Sequence, residues 1–346
     1  MSQQPTAVAM SGGMDSLVAA YLLKQAGHPV FGIHFVSGYD SPQKSLASIE
    51  NALDIPIHVI DCRRAFKQEI VDYFIAAYQA GKTPNPCMVC NRAIKFGHLM
   101  EAARELGATR LATGHYAVCE TASSGGFRLK KGADPQKEQS YFLAMLGREQ
   151  LARAVFPLGK LTKQAVREIA QARGLSPAAG HESQDICFTR GLHYLDFIAG
   201  HTDFRPEPGD IVDPSGRVIG RHQGLHRYTV GQRRGINCPA AEPYYVIRLD
   251  MNRNQLVVGF KDALYRSECR IRDVNWLSAK PKTPIAVTVK IRYRHDPAEA
   301  SLMAEEAGDE ERAVIRFRQP QPAITPGQAA VCYQADTVVA GGWIHE

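Results

Sequence analysis

The chain has 346 residues, 45% apolar and 22% charged, which is ordinary globular composition and enough length for two or three domains. No apolar run approaches the ~18 residues of a membrane crossing, and the polar first six residues lack the basic start and apolar core of a secretory signal. A cytoplasmic protein without membrane contact is the expectation. The net charge of +6 suits a polyanionic partner without requiring one.

Residues 6–10 (TAVAM) read as a short buried strand, 11–15 as a Gly-rich turn, and 16–25 as a helix with Gly27 as its stop. Residues 29–35 and 56–61 read as further strands, with a helix over 46–53 between them. Helical patterns over 66–80 and 93–106 precede a strand over 110–113. Strands alternating with helices predict an α/β fold, an open, doubly wound parallel sheet that binds ligands at the carboxyl ends of its strands. Near residue 200 the texture changes: residues 204–220 are rich in Pro, Gly and Asp and read as hairpins. From residue 270 onward, apolar runs over 285–293, 313–317, 329–332 and 338–343 predict a small barrel or sandwich. The expected domains are 1–200, a nucleotide-binding domain; 201–268, a small β-rich central domain; and 269–346, a C-terminal β-barrel. The acidic stretch 304–312 reads as a surface turn.

The sharpest local feature is strand–SGGMDS–helix. Gly12 and Gly13 permit a tight turn and close approach to a ligand, and the backbone N–H groups opening the next helix point at an anion. Ser11 and Ser16 add hydroxyl donors, and Asp15 is suited to a Mg²⁺ that neutralises phosphate. The lysine of a Walker loop is missing.

Eight cysteines, at 62, 87, 90, 119, 187, 238, 269 and 332, are too sparse for a disulfide scaffold. Cys87 and Cys90 form a Cys-x-x-Cys pair before an apparent helix, a place that lowers thiol pKa, after an approach stiffened by Pro84 and Pro86. Cys187, in ESQDICF, reads in isolation as a small buried hydrophobe, and the five other cysteines read as structural. His115 suits either loop orientation or proton transfer. Arg233, Arg234, Arg292 and Arg294 read as either solvated faces or, with an RNA partner, phosphate contacts, and Tyr228 and Tyr293 either stack on bases or fill core.

The SGGMDS string resembles the PP-loop of ATP pyrophosphatases, enzymes that adenylate a carbonyl oxygen and let a nucleophile displace AMP. TPNPCMVCN (83–91), ATGHYA (112–117), KEQSYFL (137–143), FPLG (156–159), SQDICF (183–188), HQGLHRYTVGQRRG (222–235), KIRYR (290–294) and TPGQ (325–328) narrow the resemblance to the tRNA-specific 2-thiouridylases, in that family's order and over nearly the whole chain. The resemblance implies a PP-loop domain, a small central domain and a C-terminal barrel. It implies tRNA as substrate, at the wobble uridine of tRNAs for Glu, Gln and Lys, with ATP converted to AMP and pyrophosphate, and a separate sulfur-donor protein. It implies ATP contacts at Ala9, Met10, Ser11, Gly12, Gly13, Met14, Asp15, Ser16, Phe35 and Gly114. Asn85, Pro86 and Cys87 would meet the target base, and Lys137, Glu138, Gln139, Arg292, Tyr293 and Gln328 would meet tRNA. Cys187 would carry sulfur as a persulfide, with Cys90 as the thiol that releases it.

The family has Asp where this chain has Cys87, in a TPNPD-type string. Cys87, Cys90 and Cys187 therefore form a set able to hold a 4Fe–4S cluster with one iron open, against persulfide chemistry without iron or a zinc site. Outside the resemblance, a PP-loop amide ligase of a small molecule and a non-catalytic RNA-binding or iron–sulfur sensing protein are the competing functions.

Overall fold

Strand β1 (Thr6–Ala9) has three fully buried residues and a fourth half-buried one, and it is flanked on both edges by parallel partners. Such burial on both faces is what a continuous apolar run without alternation requires. The computed structural model describes residues 4–39, 46–122, 125–176, 186–306 and 308–345, which fall into two units.

The first unit holds residues 1–71, 86–191 and 336–338. Here β1, β2 (Val30–Val36), β3 (Ile57–Asp61), β4 (Arg110–Ala112) and β7 (Ala154–Val155) form an all-parallel sheet in the order β3-β2-β1-β4-β7. The order reverses between β1 and β4, and the turn after β1 opens at that switch point, where such sheets take their ligands. A hairpin of β5 (Ala117–Thr121) and β6 (Phe127–Lys131) interrupts the alternation before β7. Helices Met14–Gln25 and Lys163–Ala172 pack beside each other over Val8, Leu17, Val18, Val166 and Ala170, a single apolar cluster. The first helix ends where expected: Gly27 takes φ +79°, and the amides of Ala26, Gly27 and His28 cap carbonyls of the last turn.

One boundary differs from the expectation. The helix read as starting at residue 93 starts at Pro86 and runs on to Glu105. Pro86 occupies the first helical position, where the missing N–H costs nothing and φ is already set. Cys87 and Cys90 are therefore one turn apart on a helix, not in an extended approach.

The second unit holds residues 72–85, 192–335 and 339–346. Its smaller sheet has the order β10-β11-β8-β9, from β8 (Gly209–Val212), β9 (Val218–His222), β10 (Tyr245–Asp250) and β11 (Gln255–Gly259). Tyr228 lies in the core of this sheet with Ile211, Val246 and Leu256, so its ring is packing and not a stacking platform. Six strands make the closed C-terminal barrel: β12 (Tyr265–Trp276), β13 (Ile285–Lys290), β14 (Ala298–Glu305), β15 (Arg312–Pro322), β16 (Ala329–Gln334) and β17 (Thr337–Ile344). Their order is β12-β15-β14-β13-β16-β17, and β17 returns to β12. Cys269 and Cys332 are buried in the barrel core. Of the acidic stretch 304–312, residues 304–305 finish β14 and Arg312 opens β15. Among the described residues no helix is long and apolar enough to cross a membrane.

Candidate active site

The turn after β1 is built by its own side chains. Gly12 takes φ +78°, and Gly13 is the extended residue that caps the helix Met14–Gln25. The Ser11 hydroxyl accepts from the Gly13 amide at 3.3 Å and lies 3.3 Å from the Ser16 hydroxyl. Ser16 donates to the Gly13 carbonyl at 2.8 Å. These bonds brace the turn at the N-terminus of the helix Met14–Gln25, where the first backbone amides have no intrahelical partner and can receive an anion. Gly114 closes it from behind: a Cβ there would lie 2.8 Å from the Asp15 carbonyl carbon. Met10 follows the last residue of β1 and Phe35 lies near the end of β2, and the neighbouring His34 has its Nδ1 2.6 Å from the Met10 carbonyl oxygen.

Asp15 is the residue whose surroundings the sequence does not reveal. Its Oδ1 accepts from the Tyr116 hydroxyl at 2.8 Å, and Lys163 Nζ approaches Oδ1 at 2.7 Å and Oδ2 at 3.0 Å. Lys163 is buried while the Asp15 side chain is one-third exposed. The expectation of Asp15 as a Mg²⁺ ligand does not fit the carboxylate as it stands, because a lysine already neutralises both oxygens.

His115 is buried, with Nδ1 2.7 Å from the Thr113 hydroxyl. Burial, with Lys95 adding to it, holds its imidazole well below the usual range, so the ring is neutral. That favours orientation over proton transfer.

Three thiols share a neighbourhood in the first unit. Cys87 is exposed and Cys90 half-buried. Burial pushes the Cys90 thiol up to about 12; the Cys87 thiol is shifted in the same direction, but its exposed surface leaves it the more accessible of the two. For Cys90 this runs against the expectation of a thiol made acidic by a helix start: desolvation is the largest influence and exceeds the pull of Lys95. Cys187 acts electrostatically on both, and buried Cys62, read from sequence as isolated, acts on Cys90. Cys187 is exposed, not buried. It opens the turn Cys187–Thr189, which Phe188 anchors on Phe66 (ring centroids 5.9 Å) and Tyr39 (6.2 Å), while Phe35 stacks on Phe66. Residues 183–185 of the SQDICF string lie outside the described residues. Among the described residues, no group of three or more His, Cys, Asp or Glu side chains stands ready to hold a metal ion.

The residues expected at tRNA are spread over both units. Lys137 is half-buried, and Gln139 is laced to Tyr116 twice, through its amide (2.9 Å) and its side-chain oxygen (3.0 Å). Glu138 is buried and accepts from the Ser140 amide at the start of the helix Ser140–Leu143. In the second unit, Asn85 and Pro84 are buried, and the Gln328 amide nitrogen donates to the Thr83 (3.1 Å) and Pro84 (3.0 Å) carbonyls. Arg292 and Tyr293 are half-buried beyond the end of β13, with Lys290 over the Tyr293 ring; Arg233, Arg234 and Arg294 are exposed.

Tyr116, Asp134, Lys163 and Lys95 were not singled out from sequence. Tyr116 lies inside the ATGHYA string, and Thr162 is a recognisable N-cap for the helix at Lys163, accepting from the Ala165 amide. Nothing local ties position 163 to position 15.

Residues 4–191 match the family model described as tRNA methyl transferase HUP domain, 195–260 the tRNA methyl transferase PRC-barrel domain, and 266–344 the aminomethyltransferase beta-barrel domain. The chain is 53% identical over 341 residues to the tRNA-specific 2-thiouridylase MnmA of Desulfosudis oleivorans, covering 98% of this chain and 94% of that one. Proteins of the same name from Geotalea uraniireducens (44%, covering 97% and 94%) and Acidithiobacillus ferrooxidans (43%, covering 99% and 99%) are similar along their whole lengths.

Proposed function

The chain belongs to the tRNA-specific 2-thiouridylase family, and on that premise we propose that it activates a tRNA wobble uridine with ATP and replaces the uridine O2 with sulfur. The supporting observation is electrostatic. Lys95, half-buried on the helix that carries both thiols, acts on Cys87 and Cys90 and also on His115, the residue after the glycine that backs the phosphate turn. This shared cation supports a reading in which activation and sulfur delivery occupy one neighbourhood.

In the first step the uridine is splayed from its stack, and its O2 attacks the α-phosphorus of ATP. The amides after Gly13 and the Ser11 and Ser16 hydroxyls hold the phosphates, and pyrophosphate departs. In the second step the outer sulfur of a Cys187 persulfide adds to C2, and AMP leaves with the former O2. The Cys90 thiolate then attacks Cys187 Sγ, which closes a Cys90–Cys187 disulfide and leaves the sulfur on the base. A sulfur-donor protein supplies the persulfide, and an external dithiol reduces the disulfide. The tRNAs for Glu, Gln and Lys are the proposed substrates; Cys87 is the proposed contact to the base, and Lys137 in the first unit and Arg292 and Tyr293 in the second are each proposed to contact RNA. No step runs through a cluster or through Mg²⁺.

The test is reconstitution with unmodified tRNA, ATP and a persulfide donor, with 2-thiouridine, AMP and pyrophosphate quantified. Cys187→Ser and Cys90→Ser should lose thiolation and keep tRNA-dependent release of pyrophosphate. Iron and sulfide are measured on the same protein purified anaerobically, alongside Cys87→Ala. Full thiolation by Cys187→Ser would sink the persulfide route. Activity that tracks iron content and is lost in Cys87→Ala would replace it with the cluster.

A further inference from the structure

We propose that Lys163 is the phosphate-binding cation of this site, held in place by Asp15 until the pyrophosphate end of ATP takes it over. This deepens the adenylation reading and rests on it.

The turn itself offers only neutral donors. Ser11 and Ser16 supply hydroxyls, and residues 11–16 include no lysine or arginine. Pyrophosphate gathers negative charge as it leaves, and neutral amides alone meet that charge poorly without a cation aimed at it. Lys163 supplies one from 148 positions along the chain, with Nζ at 2.7 and 3.0 Å from the two Asp15 oxygens.

The lysine is built in from both ends. Its backbone amide donates to Asp134 Oδ2 at 2.8 Å, and Asp134, itself buried, spends Oδ1 on the Gln136 amide. Its Nζ lies 6.0 Å from the centre of the Tyr116 ring, whose hydroxyl holds the other side of the Asp15 carboxylate. The side chain is 7% exposed, against 32% for Asp15. A lysine buried against an aspartate is a poor way to stabilise a fold, because desolvating the cation offsets much of the attraction. Here the pair opens to solvent on the Asp15 side, at the residue that begins the anion-facing helix turn. An arriving phosphate can replace the carboxylate as counter-ion without Lys163 moving through water.

The experiment measures binding of inorganic pyrophosphate and of AMP separately, by calorimetry on the full chain. Lys163→Gln should weaken pyrophosphate at least ~10-fold and slow tRNA-dependent pyrophosphate release by about 10²- to 10³-fold, the cost of losing one aimed group. AMP affinity should stay within about twofold, since AMP lacks the β- and γ-phosphates. The paired variant Asp15→Asn with Lys163→Gln removes the carboxylate left without its lysine, and the same pattern is expected there. Pyrophosphate affinity retained in both variants overturns the assignment. So does parallel loss of pyrophosphate and AMP, which would make Lys163 a shaper of the turn. Wild-type protein that binds neither ligand would remove the adenylation reading itself, whereas wild-type binding with unaltered variants removes only the lysine.

Discussion

Gly114 and Asp15 meet backbone to backbone: a Cβ on Gly114 would stand 2.8 Å from the Asp15 carbonyl carbon and 3.0 Å from the Ser16 amide nitrogen. Neither atom is the end of a flexible side chain. Gly114→Ala must therefore push the phosphate turn off its place, at a cost of about 1–3 kcal/mol typical of overpacking. The expected outcome is a rise in KM for ATP of ten-fold or more with tRNA affinity unchanged, read from steady-state pyrophosphate release and filter binding.

Gln328 makes two bonds to backbone carbonyls within the second unit, and Gly327 beside it leaves no room for a side chain, since a Cβ would lie 2.8 Å from the Thr83 oxygen. Gln328→Ala leaves those two carbonyls without this donor and should cost about 1–2 kcal/mol in urea unfolding. A pure RNA contact would behave differently: tRNA affinity would fall with stability unchanged. Loss of stability without loss of affinity assigns Gln328 to the fold.

His115 sets a pH dependence of known sign. Folding holds it neutral well below its ordinary pKa of 6.5. Below pH 6.5 the unfolded chain binds a proton that the native chain refuses, so the stabilisation present above 6.5 is lost as pH falls towards the folded value. The slope from this group approaches ~1.4 kcal/mol per pH unit. His115→Gln should flatten the stability profile between pH 5 and 6.5. An unchanged slope in that variant would refute the assignment.

Cys90 has the opposite sign. Its thiol is pushed up to about 12 by burial, so the neutral form is favoured and its contribution is lost only as pH rises past the ordinary 9.0 towards that value. Iodoacetamide should alkylate exposed Cys187 before Cys90 at pH 8, and Cys90 labelling should keep rising to pH 10 without a plateau. Lys95→Met removes the cation that opposes the shift and should slow Cys90 labelling several-fold at fixed pH, read by peptide mass spectrometry.

The parallel sheet was legible because its strands are short apolar runs bounded by turn residues. The barrel was less so. β12 carries Arg, Glu and Asp on its outward positions, and its buried set, Cys269, Ile271 and Val274, slips register near Asp273, which takes φ +51°. That irregularity breaks the period-two signal. The early helix start at Pro86 was hidden because a proline before a helical pattern reads equally as a stiff extended residue or as the first turn.

The sequence by itself determined the strand–turn–helix that can receive a phosphate, the order of motifs that identifies the family, and the placing of Cys87 and Cys90 three residues apart. Those are properties of contiguous residues. Only the tertiary structure decided that Asp15 is held by Lys163 and Tyr116, that Gly114 has no space for a side chain, and that the Cys90 thiol is raised instead of lowered. Each depends on groups brought together from distant positions by the strand order β1-β4 and by burial, and no local pattern records which charge meets which, or how much water is left around a sulfur.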